Sequence, residues 1–219
     1  MVTDELKRNI ESVVSRVSRA ADRVGHGVTL VAATKTVPPE LINFAIGMGI
    51  TAVGENRVNE FLDKRDAVKG ADWHFIGTLQ SNKAKYLVGE VSLIQSVASA
   101  KTALEIDRLA AKRGIVQRVL VEVNIGGEAS KTGASKADAV ELITLVRSLK
   151  NVELKGVMAI PPKGASDAVY KELYGIYESY KSEAFDTLSV GMSGDFERAI
   201  DNGSNMVRIG AAIFGARGV

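Results

Sequence analysis

Short apolar segments rich in β-branched residues alternate with longer amphipathic segments along this 219-residue chain. The short segments have the composition of buried strands, whereas the apolar residues of the longer ones recur at helical spacing. Parallel strands need crossover connections of this kind, and the connecting helices then cover the sheet. Roughly eight such units predict an α/β fold, a single TIM-type (β/α)8 barrel over residues 1–219. A doubly wound open sheet is the alternative, although the turn after the first strand lacks a G-x-G-x-x-G motif.

Eight segments are the predicted strands, and an extra helix precedes the first of them. The strands are predicted over residues 28–35, 51–53, 72–77, 91–97, 118–124, 152–160, 187–191 and 205–214. The N-terminal helix runs from Thr3 to Val24, because its apolar residues form one stripe from Leu6 onward. The sequence has no linker or shift in composition, and it ends directly after the last predicted strand. We therefore expect one domain without a second β-domain.

Composition and charge exclude several classes of function. The net charge is +2, from 28 basic and 26 acidic residues, which is too small to recruit nucleic acid or an anionic membrane. The absence of cysteine excludes disulfides, thiolate metal ligands and cysteine nucleophiles. The sequence has no signal-peptide core and no apolar run of the ~18 residues that span a bilayer. We therefore predict a cytoplasmic protein without nucleic-acid partners, membrane partners or a metal site.

Lys35 is the first candidate for chemistry. It ends the first predicted strand, and α/β folds place their active sites at the carboxyl ends of parallel strands. A lysine at this edge loses part of its hydration, which favours the neutral amine, a nucleophile for carbonyl carbon. The alternative is a lysine that merely leaves the sheet and reaches solvent.

The last two strand–helix units contain a candidate anion site. Ser193 begins the helix predicted after the seventh strand, and helix starts bind anions through free amides. Arg208 and Gly210 share a face of the last predicted strand, where Gly210 and Ala211 can add amide donors. Barrels often bind phosphate at these two loops, beside the first strand, which favours a phosphorylated aldehyde as ligand. The alternatives are Ser193 as a simple helix cap and Arg208 as a buried ion-pair partner of Glu122.

Several motifs resemble those of a known family, the pyridoxal-phosphate homeostasis proteins (the YggS/PROSC-like family). The matching segments are residues 33–36 (ATKT), 54–60 (GENRVNE), 73–83 (WHFIGTLQSNK), 156–161 (GVMAIP) and 188–217, which includes GMSGD and VRIG. Further matches are Val123, Asn124, Glu128, Lys131 and Gly133. These five residues lie in or near a polar loop, 126–133. The sequence does not decide whether this loop is only a structural connection or a functional lid.

The resemblance implies a barrel of the alanine-racemase type that holds pyridoxal 5′-phosphate (PLP) as a Schiff base on Lys35. It implies a role in PLP (vitamin B6) homeostasis, with PLP-dependent apo-enzymes as partners, and we expect a monomer or weak dimer. The implied cofactor-binding residues are Lys35, Asn56, His74, Met192, Ser193, Arg208, Gly210 and Ala211. Of these, Ser193 and the Gly210 region would hold the phosphate, and Arg208 would face the pyridine nitrogen. His74 is a pocket-wall residue or a structural one.

Two residues depart from the family pattern, and both concern polar contacts. Ala211 stands where relatives often have Thr or Ser, so it offers only its backbone amide to a phosphate. Ala98 stands where relatives commonly have Asp, so one polar contact after the fourth strand is missing.

The resemblance does not decide whether the protein is a PLP carrier or a PLP enzyme, so we consider the chemistry of the residues near the cofactor. An arginine keeps its proton at neutral pH, so the pyridine nitrogen stays unprotonated and PLP is a weaker electron sink. Alanine racemases share this arginine but add an acid/base from a β-domain and a partner subunit. We therefore predict a PLP carrier; the alternatives are a racemase-like PLP enzyme and a Schiff-base aldolase acting on a sugar phosphate.

Overall fold

The computed structural model describes residues 2–128 and 132–215 of the chain. Its strands are β1 (Thr29–Ala33), β2 (Ala52–Glu55), β3 (Asp72–Phe75), β4 (Leu93–Val97), β5 (Gln117–Val123), β6 (Val152–Ala159), β7 (Thr187–Ser189) and β8 (Met206–Ile209). Each strand pairs in parallel with the next, and β8 pairs with β1, so the sheet closes. The predicted (β/α)8 barrel is confirmed, and the open sheet is excluded.

Helices cover the outside of the barrel, and one precedes the first strand as predicted. They are α1 (Val2–Val24), α2 (Pro39–Gly47), α3 (Val58–Lys64), α4 (Ala100–Arg113), α5 (Lys136–Ser148), α6 (Asp167–Glu178), α7 (Phe196–Asp201) and α8 (Ala211–Phe214), with a 3-10 helix (Ser81–Tyr86) after β3. Asn9 Nδ2 of α1 donates to Ile213 O of α8 over 3.1 Å, and Arg16 pairs with Glu197 of α7 at 2.6 Å. The first helix therefore fastens the last unit of the barrel.

The barrel interior has an apolar layer and a polar one. The apolar layer consists of Val31, Ala52, Leu93, Leu120, Met158 and Met206, which come from six strands and pack on one another. Alternate residues of the same strands point outward into the larger core under the helices. Buried His74, Gln95, Ser189 and Arg208 are hydrogen-bonded to one another in series, and they form the polar layer.

Among the predicted boundaries that were wrong, three lie around the candidate site. β1 ends at Ala33, so Lys35 lies in the following turn, not at the strand end. β8 ends at Ile209, and the predicted strand residues after Gly210 form α8 instead. The run of apolar and small residues 209–214 fits a strand or a buried helix equally well by periodicity. α7 begins at Phe196, three residues after Ser193, because the intervening residues form a turn.

Three residues of the family motifs, Lys131, Ala216 and Arg217, lie outside the described residues. The lid prediction for loop 126–133 therefore stays open. Over 2–128 and 132–215, no helix has both the length and the apolar character needed to cross a bilayer.

Candidate functional site at the carboxyl ends of β1 and β8

A cavity of about 390 Å³ opens where the turn after β1 meets the start of α8. Its lining includes Lys35, Thr36, Gly210, Ala211 and Phe214, and Lys35 is half-buried there. β1 and β8 are paired neighbours, so their carboxyl ends bring these residues together from opposite ends of the sequence. The structure thus joins three of the predicted site residues, Lys35, Gly210 and Ala211, at one opening.

A larger cavity, of about 590 Å³, lies at the opposite end of the barrel. It is lined by residues that precede β1, β7 and β8, such as His26, Asp186 and Asn205, together with Tyr174 and Tyr177 of α6. None of the predicted site residues lines it. Barrel enzymes carry out their chemistry at the carboxyl ends of the strands, so we assign the site to the smaller cavity.

Gly210 makes the closest approach between the two sides of the site. A Cβ built on it would lie 3.0 Å from the carbonyl oxygen of Ala33 and 3.3 Å from its Cβ. Gly210 directly precedes α8, and its carbonyl accepts from the amides of Ile213 and Phe214. The first amides of a helix have no carbonyl partner within it, so the start of α8 presents donors beside Lys35.

Ser193 lies next to the start of α8, although it does not start its own helix. Its Oγ accepts a hydrogen bond from the amide of Ala212 over 3.1 Å. Neighbouring Met192, which is 39% exposed, donates its amide to Asp195 Oδ1 over 2.7 Å, and Tyr170 donates its hydroxyl to Asp195 Oδ2 over 2.6 Å. The interpretation of Ser193 as a simple cap of the helix that follows it was wrong, because its hydroxyl contacts the first turn of α8 instead. Its hydroxyl still has a proton to donate, so it can add a donor beside α8.

Arg208 lies inside the barrel, only 4% exposed. Its Nη1 donates to Ser189 O and Oγ over 2.9 and 2.6 Å, and its Nη2 donates to Ala159 O over 2.9 Å. Burial lowers the pKa of Arg208 to about 10, so the guanidinium remains charged at neutral pH. Its hydrogen bonds are thus to Ser189 and Ala159. Glu122, the alternative partner, accepts instead from Thr132 over 2.6 Å.

The charge of Arg208 still affects the pKa of Glu122. Burial raises the pKa of Glu122, while the Thr132 hydrogen bond and the charge of Arg208 act in the opposite direction. The pair is therefore coupled through the barrel interior without a direct hydrogen bond.

His74 belongs to the polar layer inside the barrel. The amide nitrogen of Gln95 lies 2.9 Å from His74 Nδ1, and Ser189 donates its hydroxyl to Gln95 Oε1 over 2.7 Å. With the amide as donor, Nδ1 accepts, and Nε2 carries the proton that faces Asp72 Oδ2 at 3.3 Å. This hydrogen bond holds the pKa of Asp72 below its usual range. A series of contacts thus runs from Asp72, through His74, to the guanidinium of Arg208.

Sequence reasoning missed Gln95 and Ser189. Both are polar residues that directly follow apolar residues in their strands, in the segments L-I-Q-S-V and T-L-S-V. A buried polar residue needs a partner, so that pattern signals a polar layer even without knowledge of the fold.

Asn56 lies in the turn after β2, half-buried. Its amide donates to Glu55 Oε2 over 3.3 Å. A Cβ at Gly77 would lie 1.9 Å from Asn56 O, so the turns after β2 and β3 are in backbone contact, which only glycine permits. Asn56, His74, Met192, Ser193 and Arg208 do not line the 390 Å³ cavity itself.

A cluster of charged side chains, Glu55, Glu60 and Lys64, lies beside the turn that contains Lys35. Sequence reasoning did not identify this cluster. Lys64 Nζ of α3 lies 2.7 Å from Glu55 Oε1 and 3.2 Å from Glu60 Oε2. Lys64 and Glu55 are both buried, and Thr34 donates its hydroxyl to Glu55 Oε1 over 2.7 Å. Burial raises the pKa of Glu55, against the opposing effects of Lys64 and Thr34.

Comparison with known proteins places the chain in a family. The model of the alanine racemase N-terminal domain matches residues 3–218. The pyridoxal phosphate homeostasis protein of Aquifex aeolicus is 43% identical over 220 residues, which cover 95% of this chain and 96% of the relative. That of Escherichia coli is 36% identical over 228 residues, covering 98% and 97%. The chain belongs to the pyridoxal phosphate homeostasis protein family.

Solved structures agree with membership of the pyridoxal phosphate homeostasis protein family. PipY of Synechococcus elongatus with PLP bound has a TM-score of 0.82 and 27% identity, covering 98% of this chain and all of PipY. Alanine racemase of Clostridium difficile in complex with cycloserine has a TM-score of 0.76 at 16% identity, and the match covers 60% of the racemase. At that identity the racemase shows the shared fold alone.

Proposed function

We propose that this chain binds PLP at the carboxyl ends of β1 and β8, acts in PLP homeostasis, and carries PLP as a Schiff base on Lys35. When bound, PLP supplies an aldehyde that an amine can attack and a phosphate that requires an anion site. The observation that carries the proposal is the cavity lined by Lys35, Gly210 and Ala211. The PLP-bound structure of PipY, similar over nearly the whole chain, supports it.

The residues around the cavity suit a phosphorylated aldehyde. The start of α8 offers backbone amides, and Ser193 adds a hydroxyl that is already anchored to the Ala212 amide. Gly210 leaves open the space that a Cβ would fill against Ala33. Ala211 contributes its amide without a hydroxyl. We propose that these groups hold the phosphate while the amine of Lys35, a half-buried residue of the cavity lining, faces the aldehyde.

Arg208 would hold the ring nitrogen. A guanidinium has five N–H donors, and the contacts to Ser189 and Ala159 use three of them. The remaining donors can serve one more acceptor. Because Arg208 keeps its proton at neutral pH, it can donate a hydrogen bond to a pyridine nitrogen without protonating it. We propose Asn56, Met192 and His74 as surrounding residues, with His74 acting from inside the barrel.

We propose that the chain carries PLP and does not turn over an amino acid. Arg208 is consistent with this, because an unprotonated ring withdraws electrons weakly, but it does not decide the question, because alanine racemases share the arginine. The alternative is a racemase-like PLP enzyme, since the alanine racemase N-terminal domain model matches residues 3–218. Purified PLP-loaded protein should be incubated with each amino acid and assayed for racemisation and loss of the amino group. Turnover of about 10 per second would contradict the carrier proposal.

Transfer to partner proteins is the second part of the proposal. PLP labelled with an isotope and loaded on the chain should reach an apo-enzyme faster than a scavenger of free PLP can intercept it. Interception of all the label would limit the chain to buffering. We also propose a cytoplasmic location and a monomer or weak dimer, to be tested by cell fractionation and by sedimentation.

A further inference from the structure

The backbone on both sides of Lys35 is bound by side chains of α3. On one side, Lys64 Nζ donates to the carbonyl oxygen of Thr34 over 2.8 Å. On the other, the amide of Thr36 donates to Glu60 Oε2 over 2.6 Å. Glu60 and Lys64 are one turn apart on the same helix, and their own ion pair is 3.2 Å long. The turn that presents Lys35 is therefore held at two successive peptide units.

That turn has a backbone conformation that needs an external constraint. Thr36 has a φ of +64°, and within the described ranges it is the single residue other than glycine with a positive φ. The left-handed region is unfavourable for a β-branched side chain, and it persists where surrounding contacts enforce it. The Thr36 hydroxyl donates to Lys35 O over 2.6 Å, which adds a local contact. The Glu60 carboxylate is the group from outside the turn that holds the Thr36 amide.

Three hydrogen bonds fix the orientation of the Lys64 ammonium group. An ammonium has three N–H donors, and here they match three acceptors, Thr34 O, Glu55 Oε1 and Glu60 Oε2. Lys64 is 8% exposed and Glu55 fully buried, so neither can exchange this geometry for water without opening the site. The cluster faces the backbone of the turn and not the cavity, whose lining includes Lys35 and Thr36 but not Glu55, Glu60 or Lys64.

We propose that Glu60 and Lys64 are positioning residues that hold the 34–36 turn so that the Lys35 amine faces the bound aldehyde. The inference rests on the proposed function of Lys35. It assigns the two residues no contact with PLP, since they act through the carbonyl of Thr34 and the amide of Thr36. Loss of the hydrogen bonds from Glu60 and Lys64 to this turn should slow capture of the aldehyde by Lys35 more than it weakens phosphate-anchored binding.

The test separates the effect of the side-chain length of Glu60 from the effect of its negative charge. Glu60→Gln keeps an oxygen at the same distance from the Thr36 amide, whereas Glu60→Asp keeps the charge but is one methylene shorter. PLP is mixed with each variant, and the rise of imine absorbance gives the rate of capture. Total retained PLP is measured after gel filtration, and the borohydride-reduced adduct on Lys35 by peptide mass. We expect Glu60→Asp to lower the capture rate about tenfold and Glu60→Gln to stay within about twofold of wild type.

Asp107→Ala is the matched control for a purely structural effect. Asp107 also accepts a backbone amide, that of Asn151 over 2.8 Å, in a turn at the other end of the barrel. This variant should lower thermal stability without changing the capture rate. If Glu60→Asp and Asp107→Ala lower stability alike and both capture PLP at the wild-type rate, Glu60 is merely structural and the inference is overturned. If wild type itself forms no adduct on Lys35, the proposed function fails instead, so the two failures are distinguishable.

Discussion

Nη1 of Arg208 donates to the hydroxyl of Ser189 over 2.6 Å, and that hydroxyl donates in turn to Gln95 over 2.7 Å. The Ser189 hydroxyl thus accepts from the buried guanidinium and donates to the buried side-chain carbonyl oxygen of Gln95. It fixes the orientation of the guanidinium, which lies at the end of a series of contacts that begins at Asp72.

Ser189→Ala removes both contacts within a fully buried site. We expect the free energy of unfolding to fall by about 1–3 kcal/mol, because Nη1 of Arg208 and the amide of Gln95 each lose a partner. Urea denaturation measures this. Ser148→Ala, which alters an exposed hydroxyl, is the control and should change stability by less than about 0.5 kcal/mol. Equal stability of the two variants would contradict the assignment.

Arg208→Ala should weaken retention of PLP and shift the absorbance of the bound imine, because a fixed charge beside the ring is lost. The variant also leaves Glu122 without the nearby charge that opposes its raised pKa. Dialysis and visible spectroscopy make the measurement. An unchanged spectrum together with unchanged retention would place Arg208 away from the cofactor.

Asp72 makes the stability dependent on pH in a defined direction. Its folded pKa lies below the unfolded value, chiefly because of the hydrogen bond from His74. A lowered pKa contributes stability that is present above the unfolded pKa, near 4, and is lost as the pH falls through the folded pKa. Asp72→Asn should therefore be less stable than wild type at pH 7, and the difference should shrink below about pH 4. A difference that is constant from pH 7 to pH 3 would contradict this coupling.

Gly210→Val should fill the space against Ala33 and weaken binding of PLP and of inorganic phosphate. Since a Cβ already lies at 3.0 Å, overpacking should also cost about 1–3 kcal/mol of stability. Gly175→Ala is the control, because a Cβ there meets nothing within 4 Å, and in an exposed helix it should stabilise by about 0.5–1 kcal/mol. Phosphate competition that is identical in Gly210→Val and wild type would remove Gly210 from the anion site.

The sequence predicted the barrel and the pairing of Lys35 with the Gly210 region because both depend on local patterns. Strand composition, helical spacing and the closure of a repeated unit are readable without coordinates. The end of β8 was not readable, since residues 209–214 are all apolar or small and only the fold decides where the chain turns into α8.

The contacts that orient the candidate site could not be derived from sequence because they join distant residues. Gln95 of β4 contacts Ser189 of β7, and Lys64 of α3 contacts Thr34 after β1, only once these elements have packed together. Composition shows that such buried polar residues need partners, but register and packing choose which ones. Ser193 illustrates the same point: it follows β7 and precedes α7, yet its hydroxyl contacts α8.

Borohydride reduction of the PLP-saturated protein, followed by peptide mass analysis, tests the central claim most directly. The account predicts one reduced adduct on Lys35 in wild type and none in Lys35→Ala, in which weak phosphate-anchored binding persists. An adduct on a different lysine, or an equal yield of adduct from Lys35→Ala, would contradict it.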